Sequence, residues 1–96
     1  MLENKLSTSI SESIAIPAPQ KEVSLRTYVE QALQRYFARL DGHNPANVYN
    51  MVLEEMEIPL LKAVLRYTRG NQVKAATILG ISRGTLRKKM KQYHLD

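Results

Sequence analysis

The chain has 96 residues, of which 44% are hydrophobic, and it carries a formal net charge of +5 with no cysteine. This length fits one small folded domain and excludes two large lobes around a catalytic cleft. The absence of cysteine excludes disulfides, thiol nucleophiles and thiolate zinc sites. No stretch approaches the ~20 apolar residues of a membrane span, and no signal peptide is recognisable, so we expect a cytoplasmic protein without a membrane partner.

The charge is distributed unevenly. Residues 1–24 carry two basic and three acidic side chains, and residues 25–60 carry three basic and five acidic ones. Residues 61–96 carry nine basic side chains and one acidic side chain. A slightly acidic N-terminal two thirds followed by a strongly basic C-terminal third is typical of a protein whose basic segment binds a polyanion while the rest forms a packed support. A solvated helix face is the alternative explanation.

Residues 1–24 are predicted to form a flexible N-terminal arm, since they are rich in serine and contain Pro17 and Pro19. Part of the arm alternates with the period of two expected of a strand, and the sequence PAPQ could then turn the chain back. The alternating positions are Ile10, Glu12, Ile14 and Ile16. A two-stranded hairpin alone is marginal in water, so the arm is either a mobile β-hairpin or disordered.

The first predicted helix begins at Leu25, where apolar residues start to recur at steps of three and four. These residues are Leu25, Val29, Ala32, Leu33, Tyr36, Phe37 and Leu40. Ser24 can cap the start of this helix and Gly42 its end.

The second predicted helix begins near Asn44 or Asn47, with Pro45 in its first turn, and extends to about Tyr67. One of its two apolar stripes contains Val48, Met51, Val52, Met56, Leu60, Val64 and Tyr67. The other contains Tyr49, Leu53, Leu61 and Leu65. Because both stripes must be buried in so short a chain, we expect a homodimer and assign residues 25–68 to a helical dimerisation core.

Pro59 lies inside this pattern. It has no N–H group and clashes with the carbonyl of Glu55, which costs ~3 kcal/mol in a helix interior. Since the apolar periodicity continues through Leu60, Leu61 and Val64, we expect a kink and not a break.

Residues 69–96 predict a helix-turn-helix. Asn71 can cap a short helix that ends at Gly80, and Ser82 can cap a second helix over residues 83–93. The narrow apolar stripe of the second helix contains Leu86, Met90 and Tyr93. This motif typically has two short helices joined by a turn that contains glycine. Its second helix is basic and packs on the core through only a narrow apolar stripe.

The exposed surface of the second helix is basic. Arg83, Arg87 and Lys91 form one row, and Thr85, Lys88, Lys89 and Gln92 cover the rest. The major groove of DNA admits such a helix, whose first residues contact base edges. We expect Arg83 to form a bidentate contact with guanine, and Thr85 to contact a base or a phosphate. Free backbone N–H groups near Asn71 and Ser82 can bind phosphates.

The segment YTRGNQVKAATILGISRGTLRKKMKQY, from Tyr67 to Tyr93, resembles the helix-turn-helix of the bacterial Fis family, the factors for inversion stimulation. The resemblance extends through LRTYVEQALQRYFARLDG and VYNMVLEEMEIPLL, and so covers residues 25–96. It implies an all-α fold: a four-helix subunit with a proline-kinked long helix, a C-terminal helix-turn-helix, a mobile arm and an intertwined homodimer.

The resemblance also implies a function. Family members are nucleoid-associated proteins that bind and bend double-stranded DNA at degenerate, AT-centred sites and regulate transcription. Positions matching DNA-binding residues of the family are Asn71, Ser82, Arg83, Thr85, Arg87, Lys88, Lys89 and Lys91, with Arg69 and Lys74 as further phosphate contacts. Family members activate transcription through an exposed turn before the helix-turn-helix, and the resemblance therefore implies a contact between this turn and RNA polymerase. In this sequence the turn consists of Arg66, Arg69, Gly70 and Gln72.

The chain departs from the family at several of these positions. Ser82 replaces the usual asparagine, so the cap survives while any base contact from that amide is lost. Val73 and Lys74 replace threonine and arginine, and Arg66 replaces glutamine. The family arm contacts DNA invertases, but this arm has two prolines and no acidic residue near its tip. We therefore do not carry over the recombinase contact, and enhancement of site-specific recombination is only a secondary expectation.

Enzymatic and metal-binding functions are not expected. His43 and His94 are 51 positions apart without a third ligand, and the glutamates of residues 54–57 lack a substrate-binding context. No GxxxxGK[ST] phosphate loop occurs, and no cofactor is implied.

Two other classes compete with a complete Fis-type protein. The chain could be the DNA-binding dimerisation tail of an NtrC-type enhancer-binding activator, although its start at Met1, its arm and its own dimerising helices favour a complete small protein. It could also be an interaction module whose basic helix binds an acidic protein.

Overall fold

The computed structural model describes residues 16–17 and 22–96, with side chains from residue 23 onward. In these described residues, two very short strands precede four helices. The elements are β1 (Ile16–Pro17), β2 (Glu22–Val23), α1 (Leu25–Ala38), α2 (Val48–Tyr67), α3 (Gln72–Leu79) and α4 (Arg83–Gln92). The part of the chain that the structure describes has an all-α fold with four helices, as predicted. The chain forms two compact units, Met1–Pro45 and Ala46–Asp96, each considered separately below.

In the first unit, β1 and β2 pair antiparallel, with Ile16 opposite Val23 and Pro17 opposite Glu22. Of the strand predicted in the arm, only Ile16 lies within the described residues. α1 begins as predicted, because the Ser24 hydroxyl caps it by accepting a hydrogen bond from the Thr27 N–H at 3.2 Å.

The end of α1 differs from the prediction. The helix ends at Ala38 and not at Gly42, and the N–H of Arg39 bonds to the carbonyls of Arg35 and Tyr36. The chain then turns through Asp41 and Gly42, both with positive φ, of 51° and 85°. Gly42 therefore serves the turn after the helix. No side chain of α1 is buried by the part of the chain that the structure describes.

In the second unit, α2 begins at Val48, so Pro45 precedes the helix and Asn47, not Asn44, is the N-cap residue. Asn47 has φ of 55° and makes no side-chain capping bond within the described chain. The helix continues through Pro59 to Tyr67, which confirms that no break occurs there. The kink stays a prediction.

A Schellman motif ends α2 and directs the chain into α3. The N–H of Gly70 bonds to the carbonyl of Leu65 at 2.8 Å, and that of Arg69 bonds to the carbonyl of Arg66 at 3.1 Å. Arg69 and Gly70 both adopt positive φ, of 54° and 81°. This turn therefore holds the backbone of Arg69 in a left-handed conformation that residues other than glycine rarely adopt.

The hydrophobic core of the second unit lies among α2, α3 and α4. Its buried residues are Leu61, Ala75, Ala76, Leu86 and Met90, with Val64, Leu65, Leu79, Ile81, Tyr93 and Leu95 packed around them. The predicted stripe of α4 thus faces the core. The small side chains of Ala75 and Ala76, at the centre of α3, allow α2 and α4 to approach α3 closely. α3 and α4 therefore pack on the C-terminal half of α2. In the described part of the chain, no helix is long and apolar enough to cross a membrane.

Candidate nucleic-acid interface

A glycine turn connects α3 to α4. Gly80 has φ of 74°, and its N–H bonds to the carbonyl of Thr77 at 3.2 Å. The N–H of Ile81 bonds to the carbonyl of Ala76 at 3.1 Å, which completes a second Schellman motif. A Cβ at Gly80 would meet nothing within 4 Å, so the backbone conformation, and not crowding, favours glycine here.

Both helices of the motif carry the predicted caps. The Oδ1 atom of Asn71 accepts a hydrogen bond from the Lys74 N–H at 3.1 Å, and the Oγ atom of Ser82 accepts one from the Thr85 N–H at 3.0 Å. The Ser82 hydroxyl donates to the Oγ1 atom of Thr85 at 2.9 Å. The proton of the Thr85 hydroxyl is therefore free to be donated to an acceptor on a ligand.

The outer surface of α4 presents cations to solvent. Arg83, Arg87, Lys88 and Lys91 are exposed, as are Arg69 and Lys74 on the neighbouring turn and helix. An open groove of about 440 Å³ is lined by Gln72, Gly84, Arg87, Lys88, Met90, Lys91 and Asp96. Three cations and the acidic Asp96 thus line one groove between the start of α3 and the face of α4, and the cations favour an anionic ligand there.

Lys89 is only partly exposed, so the prediction that it helps to cover the exposed surface of α4 is wrong. Its Nζ atom lies 2.7 Å from Oε2 of Glu57, and the two side chains are only 27% and 12% exposed. Glu57 is on α2, against which α4 packs, and it pairs with the cation nearest the core. This is the only salt bridge among the described residues.

Glu57 also binds Tyr93. The phenolic O–H of Tyr93 donates to Oε1 of Glu57 at 2.6 Å. The hydrogen bonds from Lys89 and Tyr93 hold the pKa of Glu57 below its ordinary value, while the bond to Glu57 raises the pKa of Tyr93 to about 12. The sequence analysis did not identify Glu57 as the partner of Lys89 and Tyr93. One signal was available, because Glu57 is the last acidic residue before Asp96.

The turn predicted to contact RNA polymerase lies next to this groove. Arg66, Arg69 and Gly70 are exposed around the Schellman turn. Gln72 is half-buried at the start of α3 and lines the groove, so one residue belongs to both predicted surfaces. Across the described ranges, no three metal-ligating side chains come together.

A capped two-helix motif with an exposed basic second helix defines a helix-turn-helix protein. The family described as "Bacterial regulatory protein, Fis family" matches residues 52–93, and "DNA-binding protein Fis N-terminal domain" matches residues 1–45. The chain is 48% identical to "DNA-binding protein Fis" of Psychromonas ingrahamii over 96 residues, which cover 97% of each chain. It is 46% identical over 99 residues to the protein of that name from Actinobacillus succinogenes, with both chains covered completely.

A third relative is the "Putative Fis-like DNA-binding protein" of Pseudomonas aeruginosa. It is 55% identical over 76 residues, which cover 79% of this chain and 73% of the relative. These similarities extend over both compact units. The chain belongs to the Fis family.

Proposed function

We propose that this protein is a homodimeric, non-enzymatic DNA-binding and DNA-bending protein of the cytoplasmic nucleoid that regulates transcription. The observation that carries the proposal is the exposed basic face of α4, presented by a fully capped helix-turn-helix. Relatives that match the chain along its length are named DNA-binding proteins. They match over at least 97% of their own length, which does not favour the tail of an NtrC-type activator.

Each exposed polar residue of the motif is proposed to have one of two roles. Arg83, in the first turn of α4, contacts guanine, and Thr85 donates its free hydroxyl proton to a base or phosphate. The phosphate contacts are Arg69, Lys74, Arg87, Lys88 and Lys91, with backbone N–H groups at Asn71 and Ser82. Lys89 is not included because its charge is paired with Glu57.

Dimerisation is proposed from the large apolar side chains that α1 and α2, each considered within its own unit, leave exposed. These side chains are Leu25, Tyr28 and Phe37 on α1, with Tyr49, Met56, Leu60 and Tyr67 on α2. Tyr49 and Tyr67 are 77% and 81% exposed, and a symmetric partner would cover such a surface economically. Residues 1–24 are then an arm, residues 25–68 the dimerisation core and residues 69–96 the DNA-binding region.

Bending follows if the two recognition helices of the dimer lie closer together than the ~34 Å repeat of B-DNA. The duplex must then curve, at a cost of about 1 to 6 kcal/mol that flexible or AT-rich centres reduce. Circularly permuted DNA fragments test this directly. Mobility that depends on the position of the site supports bending, and unchanged mobility contradicts it.

The dimer is tested by sedimentation equilibrium with and without DNA. A mass of two chains is expected at micromolar concentration, and a monomer that binds DNA one copy at a time would contradict the proposal.

A contact with RNA polymerase through Arg66, Arg69, Gly70 and Gln72 is a second proposal. It is supported by the exposed turn in which Arg69 is held at positive φ.

A further inference from the structure

One carboxylate of α2 holds α4 at two points. Oε2 of Glu57 lies 2.7 Å from the Lys89 ammonium, and Oε1 accepts the phenolic proton of Tyr93 at 2.6 Å. Lys89 lies in α4 and Tyr93 is the C-cap residue directly after it, so these side chains, four residues apart, lie one turn apart on the same side of the helix. Two bonds on one side of a helix resist its rotation about its own axis, which a single bond would not do.

The clamped side of α4 is nearly opposite the row of cations. Successive residues of an α-helix are separated by about 100° around the axis, so Lys89 and Arg87 lie roughly 160° apart. Leu86 and Met90 fill the core between them, with 0% and 4% exposure. Apolar contacts alone leave such a short helix free to rotate by small angles, and any such rotation displaces Arg83 and Arg87 around the helix axis.

We propose that Glu57 is a positioning residue for DNA recognition, which fixes the rotation of α4 through Lys89 and Tyr93 so that Arg83 meets its base. The proposal rests on the DNA-binding function proposed above. It assigns Lys89 to the clamp and not to a phosphate. Glu57 itself touches no DNA, since its two oxygens are directed to α4 from within the subunit.

The test compares two full-length variants that change the net charge equally. Glu57→Gln removes the charge paired with Lys89, whereas Glu55→Gln removes an exposed carboxylate from the same helix. The readout is the ratio of affinities for a guanine-flanked, AT-centred duplex and a shuffled duplex. A good base contact provides roughly 5- to 150-fold discrimination. We expect E57Q to lower the ratio on the order of three- to tenfold and E55Q to leave it unchanged.

Three further variants distinguish a loss of the correct rotation of α4 from a general loss of stability. Circular dichroism checks that each variant is folded. Lys89→Met should lower the ratio as E57Q does, and Lys89→Arg, which keeps the ion pair, should restore most of it. The double variant E57Q/K89M should lose no more than E57Q alone, because K89M removes an ion pair that E57Q has already broken. A wild-type ratio in folded E57Q and K89M would overturn the proposal. So would a salt dependence of K89M that is clearly shallower than that of the wild type, since Lys89 would then contact a phosphate in the wild-type complex.

A second readout needs no DNA and separates failure of the clamp from failure of the proposed function. Without the clamp, the backbone amides of residues 87–92 should exchange hydrogen about tenfold faster in E57Q than in E55Q. Equal exchange would overturn the clamp. A wild-type protein that prefers neither duplex would contradict the proposed function, and the exchange rates would then decide on the clamp alone.

Discussion

The salt dependence of DNA binding distinguishes Lys91 from Lys89, two cations on the same helix. Lys91 is exposed, whereas Lys89 is paired with Glu57 at 2.7 Å. The matched perturbations are Lys91→Met and Lys89→Met, which remove one charge each and keep an apolar stem. Only the first is expected to remove a phosphate contact, because the charge of Lys89 is already compensated within the protein.

The magnitude follows from the number of exposed cations. If four of the five cations proposed as phosphate contacts in each subunit are engaged at the same time, a dimer neutralises about 8 phosphates, and log K falls with log salt at a slope near −7. Between 50 and 200 mM salt, affinity should then fall about 10⁴-fold. K91M removes one contact from each subunit, so its slope should be shallower by about 2. The slope of K89M should equal that of the wild type.

Fluorescence anisotropy of a labelled duplex, titrated at several salt concentrations between these limits, measures all three slopes. Circular dichroism confirms that both variants are folded. A slope for K89M as shallow as that of K91M would refute the assignment of Lys89 to Glu57. A flat response of the wild type would refute electrostatic DNA binding itself.

Three other predictions concern recognition and stability. Arg83→Ala should lose ~1 to 3 kcal/mol of guanine discrimination, whereas Lys91→Ala should weaken binding to all sequences equally; equal losses on matched and shuffled duplexes would contradict these roles. Leu86 is 0% exposed, so Leu86→Ala should lower the free energy of unfolding by ~2 to 5 kcal/mol in urea denaturation, and a loss below 1 kcal/mol would contradict its central place in the core. The pKa of Glu57 lies below its ordinary 4.5, so its bonds stabilise the fold above that pH and cease to do so as the pH falls through the lowered pKa. Glu57→Gln should therefore cost roughly 1 to 3 kcal/mol at neutral pH and progressively less in acid, and a loss independent of pH would contradict the ion pair.

The features that the sequence predicted correctly are mainly local. Ser24, Asn71 and Ser82 each cap a helix through a backbone N–H three residues ahead. The αL turn at Gly80 and the stripe of α4 likewise depend on residues within two turns of each other. Periodicity and capping chemistry act over this range, so the helix-turn-helix could be identified before any tertiary contact was known.

The features that the sequence did not predict depend on packing or on a choice between equivalent caps. Tyr93 reaches Glu57 across 36 positions, and only the packing of α4 against α2 places Lys89 beside the same carboxylate. Seen along α4 alone, Lys89 looks as exposed as its neighbours. At the end of α1, Arg39 already closes the last turn, so the glycine at position 42 was too distant to mark the end of the helix.

A gel-shift titration of the wild-type protein at about 0.15 M salt tests the central claim most directly. It compares a duplex with guanines flanking an AT-rich centre against a shuffled, GC-centred duplex of the same length. Tighter, discrete complexes on the first duplex are expected, because Arg83 contacts guanine and the flexible centre bends at lower cost. Equal affinity for both would contradict sequence-selective recognition, and no shift on either would contradict DNA binding by the basic face of α4.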